Sequence, residues 1–197
     1  MTTTKSEVLL HTPGHVKHDG HNLTGFIIFL CSESIIFFAF FVGYGVLKLT
    51  APTWYPDGVS GIAVREPLIN TIILVSSSFV IYFAERYLHK KNYWGFRIVW
   101  LVTMLMGSYF VYGQYIEWSE LSFSLSSGVF GSLFYLLTGF HGLHVITGIL
   151  LMGLMLIRSF IPGNYDRGEM GVESVSLFWH FVDVIWIILF VLIYVWQ

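Results

Sequence analysis

Five long apolar stretches, separated by short polar or charged connections, set the architecture of this chain. The first covers residues 23–47 and is interrupted only by Glu33. The second, 67–85, lies between Glu66 and Glu85, with Pro67 suited to a first helical turn, where its missing N–H costs nothing. The third spans 97–117, the fourth 129–157 and the fifth 175–196, the last broken only by His180 and Asp183. Each is close to the roughly 20 residues that cross a hydrocarbon core as a helix. The pattern predicts an all-α, polytopic membrane protein, with a five-transmembrane-helix bundle over residues 23–197 behind a polar tail, 1–22.

Composition sharpens this picture. Only 11% of the residues are charged and 55% are hydrophobic, with a mean hydropathy of +0.71, whereas a soluble domain carries about 25% charge. The net charge of −2 gives no basic surface for nucleic acid. Cys31 is the single cysteine, so no internal disulfide can form, and its expected role is that of a small buried hydrophobe. The first 22 residues are polar and the following apolar run is too long for a cleavable signal, so none is expected. Lys5, Lys17, Arg86, Lys90, Lys91, Arg97, Arg158 and Arg167 fall in the tail and the second and fourth connections, leaving Lys48 and Arg65 opposite. That bias predicts a cytoplasmic N-terminus and an external C-terminus.

Ionisable groups inside apolar stretches mark where function or assembly must reside. Thr138, His141, His144 and Gly148 recur at helical spacing, as do Ser176, His180 and Asp183. The histidines invite a metal or haem reading, and His141 with His180 would be the pair for a haem-binding anchor. Hydrogen-bonded supports within a bundle are the simpler expectation. Glu33 lies ten residues past Leu23, about 15 Å along a helix, where a bare carboxylate is costly. It reads either as a neutral, hydrogen-bonded acid or as a proton-linked or lipid-linked group.

Gln114, Glu117 and Glu120 share a face at the end of the third stretch. They form a candidate cation or acid/base site, with a structural contact to another helix or subunit favoured. Asn70, Thr71 and Ser76–Ser78 in the second stretch are suited to interhelical hydrogen bonds. Trp54 and Tyr55 fit an interfacial belt in a surface connection. The tail holds His11, His15, His18 and His21, read as a solvated segment or a proton-collecting surface, with a metal site disfavoured because Pro13 and Gly14 interrupt helix.

Two segments carry a resemblance. Gly139-Phe-His-Gly-Leu-His-Val-Ile-Thr-Gly148 and Phe178-Trp-His-Phe-Val-Asp-Val-Ile-Trp186 are similar to signature segments of subunit III of haem–copper cytochrome c oxidases. Cys31-Ser-Glu33, Pro67-Leu-Ile-Asn-Thr71, the Gln114/Glu117/Glu120 pattern and Gly128-Val-Phe-Gly131-Ser follow the same family's order. The resemblance implies a short, five-helix bacterial form without the family's first two helices. It implies an accessory subunit with no catalytic residue or metal of its own, in a bacterial cell membrane or another energy-transducing internal membrane.

By the same resemblance the complex reduces O₂ to water and translocates protons. Haem a, haem a3, CuA and CuB would sit in subunits I and II, and cytochrome c would deliver electrons through subunit II. Membrane lipids, including bound phospholipid, are further implied partners. Glu33 resembles the family's membrane-embedded reactive carboxylate, and His141, His144, His180 and Asp183 become structural or lipid-supporting groups. A quinol oxidase subunit III is the alternative, and a proton-coupled transporter a more distant one, since no inverted repeat or broken helix is evident.

Overall fold

The computed structural model describes residues 19–56, 58–59, 61–163, 165 and 169–196, with residues 19–22 described by backbone alone. His11, His15 and His18 lie outside the described residues, as does the side chain of His21. Five helices follow one another: α1 (Asp19–Thr50), α2 (Arg65–His89), α3 (Tyr93–Glu120), α4 (Gly128–Arg158) and α5 (Met170–Phe190). A π-helical turn, Val191–Val195, continues α5. All five helices are long and apolar enough to cross a membrane, and no strand occurs among the described residues.

Short connections force neighbouring helices to run antiparallel. The sharpest joins α2 to α3: the Lys90, Lys91 and Asn92 amides donate to the carbonyls of Arg86, Leu88 and Tyr87. Lys91 adopts φ 56° to close the turn, and the Asn92 side chain then caps α3 by accepting from the Gly95 amide at 3.0 Å. One end of the bundle therefore carries the α1–α2 and α3–α4 connections, and the other the α2–α3 and α4–α5 connections.

Side chains of α5 reach every other helix. Phe181 meets Phe37 of α1 with ring centroids 6.2 Å apart, Trp186 meets Phe110 of α3 at 4.7 Å, and Phe178 stacks on His144 of α4 at 6.2 Å. Four polar contacts bind it to α2: Trp186 Nε1 donates to Thr71 Oγ1 at 2.9 Å, Trp179 Nε1 donates to Ser77 Oγ at 2.8 Å, and Ser78 meets both His180 and Asp183. Between helices the lipid is as apolar as the side chains, so packing and such bonds must supply the association energy.

Trp179 sits at the centre, fully buried. A Cβ at Gly107 of α3 would come within 2.5 Å of its ring, and one at Gly148 of α4 within 2.8 Å. Two glycines thus clear the space into which the indole fits. Elsewhere α3 is fastened to α4 by Trp100 Nε1 donating to the Met152 carbonyl at 2.9 Å and by Arg97 on Ser159.

The first helix is the peripheral one. Ile28, Ile35 and Phe38 point outward, and so does Cys31, correcting the expectation of a buried thiol: α1 turns only a narrow stripe, centred on Phe37 and Tyr44, toward the bundle. The α1–α2 connection tucks inward more than a surface link would. Trp54 packs edge-on against Tyr44 at 5.2 Å and Phe130 at 5.5 Å, and burial raises the Tyr55 hydroxyl above the ordinary phenol value. Lys48 closes this end by donating to the Trp196 carbonyl, with its ammonium 4.5 Å from the Trp196 ring centroid.

Candidate functional site

The residues predicted to carry chemistry separate into three groups. Glu33 of α1 and His144 of α4 form the first, with Glu33 Oε2 3.3 Å from His144 Nε2. Both are half-buried. The other ring nitrogen, Nδ1, faces the Phe140 carbonyl at 2.8 Å. A carbonyl only accepts, so Nδ1 carries a proton. The Nε2–Oε2 contact is then a hydrogen bond only if one further proton lies between the two, as a neutral acid facing imidazole or a carboxylate facing imidazolium. Phe37 and Phe140 wall the pair, with ring centroids 5.0 Å and 4.8 Å from the imidazole. The contact between α1 and α4 thus sits in a largely aromatic setting.

The second group joins α2 to α5. Ser78 Oγ lies 3.0 Å from His180 Nδ1 and donates to Asp183 Oδ2. With the hydroxyl proton directed at Asp183, His180 must donate from Nδ1. Asp183 is 3% exposed, and its second oxygen, Oδ1, makes no hydrogen bond among the described residues.

The third group lies near the end of α3. Gln114 Nε2 donates to Glu117 Oε2 at 2.8 Å, and Tyr194 of the π-helical turn donates to Glu117 as well, 2.8 Å from Oε1. Glu120, expected on the same face, is exposed and takes no part. Six residues past Gln114 the helix has turned about 600°, which is 240° from its starting face. The pattern is a helix-to-helix contact through Glu117.

His141 differs from the hydrogen-bonded support expected of it. It is fully buried, stacked on Trp186 at 4.9 Å and edge-on to Phe110 at 5.9 Å, and neither ring nitrogen has a hydrogen-bond partner among the described residues. The three-residue offset from His144 rotates it about 60° around the helix, away from α1 and into the aromatic centre. His141→Phe is therefore expected to change thermal stability by less than about 1 kcal/mol, or to raise it, because no hydrogen bond is lost. A melting curve of the purified variant in detergent checks this.

One grouping was not visible along the chain. His89 at the end of α2, with Glu169 and Glu173 around the start of α5, brings three ligand-type atoms within 4.8 Å of one another. His89 already pairs with Glu169, and all three side chains reach the surface, as ordinary surface ion pairs do. Eighty residues separate the two elements, so no local spacing could have signalled it.

The family model for cytochrome c oxidase subunit III matches residues 8–197. The cytochrome c oxidase subunit 3 of Synechocystis sp. is 41% identical over 189 residues, covering 93% of this chain and 81% of the relative. That of Thermostichus vulcanus is 42% identical over 180 residues, covering 91% and 89%. The rabbit (Oryctolagus cuniculus) protein of the same name is 38% identical over 179 residues, covering 87% and 68%. With five membrane-crossing helices and a match along nearly its whole length, the chain belongs to the cytochrome c oxidase subunit III family.

Proposed function

We propose that this chain is the accessory subunit III of a proton-translocating cytochrome c oxidase, an oxidoreductase complex in which other subunits carry out the chemistry. The observation that carries its particular contribution is the Glu33–His144 pair, an acid and an imidazole 3.3 Å apart between α1 and α4 and walled by aromatic rings. Subunits I and II would hold haem a, haem a3, CuA and CuB, and cytochrome c would donate through subunit II. This chain would support assembly, proton uptake and stability, with His144, His180, Asp183, Gln114 and Glu117 joining its helices and His141 packing among aromatics.

The domain organisation proposed is one transmembrane helical unit over residues 23–197 behind the cytoplasmic tail 1–22, whose histidines would serve as a proton-collecting surface. Arg86, Lys90, Lys91, Arg97 and Arg158 all lie at the bundle end carrying the α2–α3 connection, which supports an N-in, C-out orientation in a bacterial membrane. Lipid contact is supported by an almost wholly apolar groove of about 420 Å³ between α3 and α4, floored by Gly139 and Gly142.

The assembly reading is tested by co-purification: haem-bearing chains should travel with this one, and a copper-binding subunit II among them would identify cytochrome c as donor. A stoichiometric Soret band from the isolated chain would refute the accessory role. Glu33→Gln should leave assembly unchanged, because an amide can occupy the same space and donate to His144 Nε2. O₂ consumption should begin normally and then decline faster during sustained turnover. Failure of the variant to assemble would show the acid to be structural.

A further inference from the structure

We propose that the cavity between α2 and α3, at the end of the bundle carrying the α1–α2 connection, receives an arginine or lysine side chain from a neighbouring subunit. The inference rests on the assembly proposed above and names one of its contact points. The cavity has a volume of about 550 Å³ and is lined by Glu66 from the first turn of α2 and by Glu117 and Glu120 from the end of α3. Arg65, beside Glu66 in the chain, does not line it. Glu66 and Glu120 are exposed and form no ion pair with any described residue.

A second observation points the same way. Asn70 lines this cavity and is only 8% exposed, yet its amide makes no side-chain hydrogen bond to any described residue. It packs over Gly113 so closely that a Cβ there would overlap both amide atoms. The amide is thus held in the cavity wall beside Gly113, with its acceptor and donors free to bond a group that enters. Tyr109 and Tyr112 stand on the rim, both half-exposed or more, offering ring faces to a cation.

The chemistry of the walls selects the occupant. A bare divalent cation needs about six oxygens within a few ångströms, and this cavity is too wide for that. A zwitterionic phospholipid would bring its phosphate together with its ammonium against up to three carboxylates, which repel it. A basic side chain brings positive charge alone, on a stem long enough to fill the space, and a guanidinium can bridge a carboxylate and the Asn70 carbonyl.

The test uses the intact purified complex. Glu66→Gln with Glu120→Gln leaves the Glu117 contacts untouched and should reduce the fraction of this chain retained through detergent washing about fivefold at low salt. High salt should bring wild type toward the same value, because the pair is screened. A photoreactive residue placed at Tyr112 should form adducts with a partner-subunit peptide containing arginine or lysine. Adducts only with phospholipid or with another copy of this chain would overturn the proposal, as would wild-type retention of the double variant.

Melting of the isolated variant checks folding, and Glu120→Gln alone serves in the same two assays if the double variant melts early. A wild-type chain that travels with no haem-bearing chain would overturn the assembly reading itself. Normal co-purification with an unaffected variant overturns the docking site alone.

Discussion

Trp179→Ala is expected to be the most damaging single substitution in the chain, costing about 3–5 kcal/mol of stability. The indole is fully buried, lies against the backbones of Gly107 and Gly148 and donates to Ser77 at 2.8 Å, so truncation withdraws contacts from α2, α3 and α4 together. Glycines line two walls of the gap, so those walls offer no side chain of their own to fill it. Ser77 retains its bond to the Leu74 carbonyl at 2.6 Å, so the loss is mainly one of packing. Thermal unfolding of the purified chain in detergent should show a large fall in midpoint. Trp179→Phe, which refills part of the volume without the N–H, should recover more than half of it. A near-wild-type midpoint for Trp179→Ala would show that the bundle is not organised around this residue.

Asp183→Leu is expected to cost about 1–3 kcal/mol, the usual penalty for removing one partner from a buried hydrogen bond. The carboxyl is 3% exposed and is the acceptor for Ser78, while Ser78 also lies 3.0 Å from His180. Leucine fills similar space but leaves the hydroxyl proton without its acceptor and adds a branched end beside His180. Asp183→Asn keeps an acceptor oxygen and should lose less. The comparison is made by thermal unfolding in detergent together with the fraction of chain retained in the complex. Equal values for Leu and wild type would show that this contact contributes nothing to the α2–α5 interface.

The five helices were legible because hydrocarbon demands a continuous apolar run, and five such runs are present. Partner choice was less legible. Thr71, Ser77 and Ser78 announced interhelical hydrogen bonding by residue type, but that Trp186, Trp179 and Asp183 are their partners depends on the rotation and height of α5. Glu33 and a histidine at matching depth could be read off the chain. The choice of His144 over His141 depends on about 60° of rotation of α4, fixed by Trp186 and Phe110 packing on the other side. Cys31 misled for a related reason: an apolar helix carries no polar face to mark which side turns outward in lipid. The carboxylates around Asn70 come from two helix ends that only the tight α2–α3 turn brings together.

The position of α5 has a consequence for biosynthesis. The helix whose side chains reach all the others is also the last of the five to leave the ribosome. The first, α1, packs chiefly on α4 and α5, so its inward stripe has little to settle against while the middle of the chain is being made. At a translation rate of about 5–20 residues per second, that interval lasts on the order of ten seconds. The α2–α3 pair, joined by its tight turn, can form at once. During the wait Glu33 is in the membrane or its translocation channel without His144, and the free energy of inserting α1 must bear an unpaired acid for that time. Completion of α5 therefore gathers helices already resident in the bilayer into one bundle.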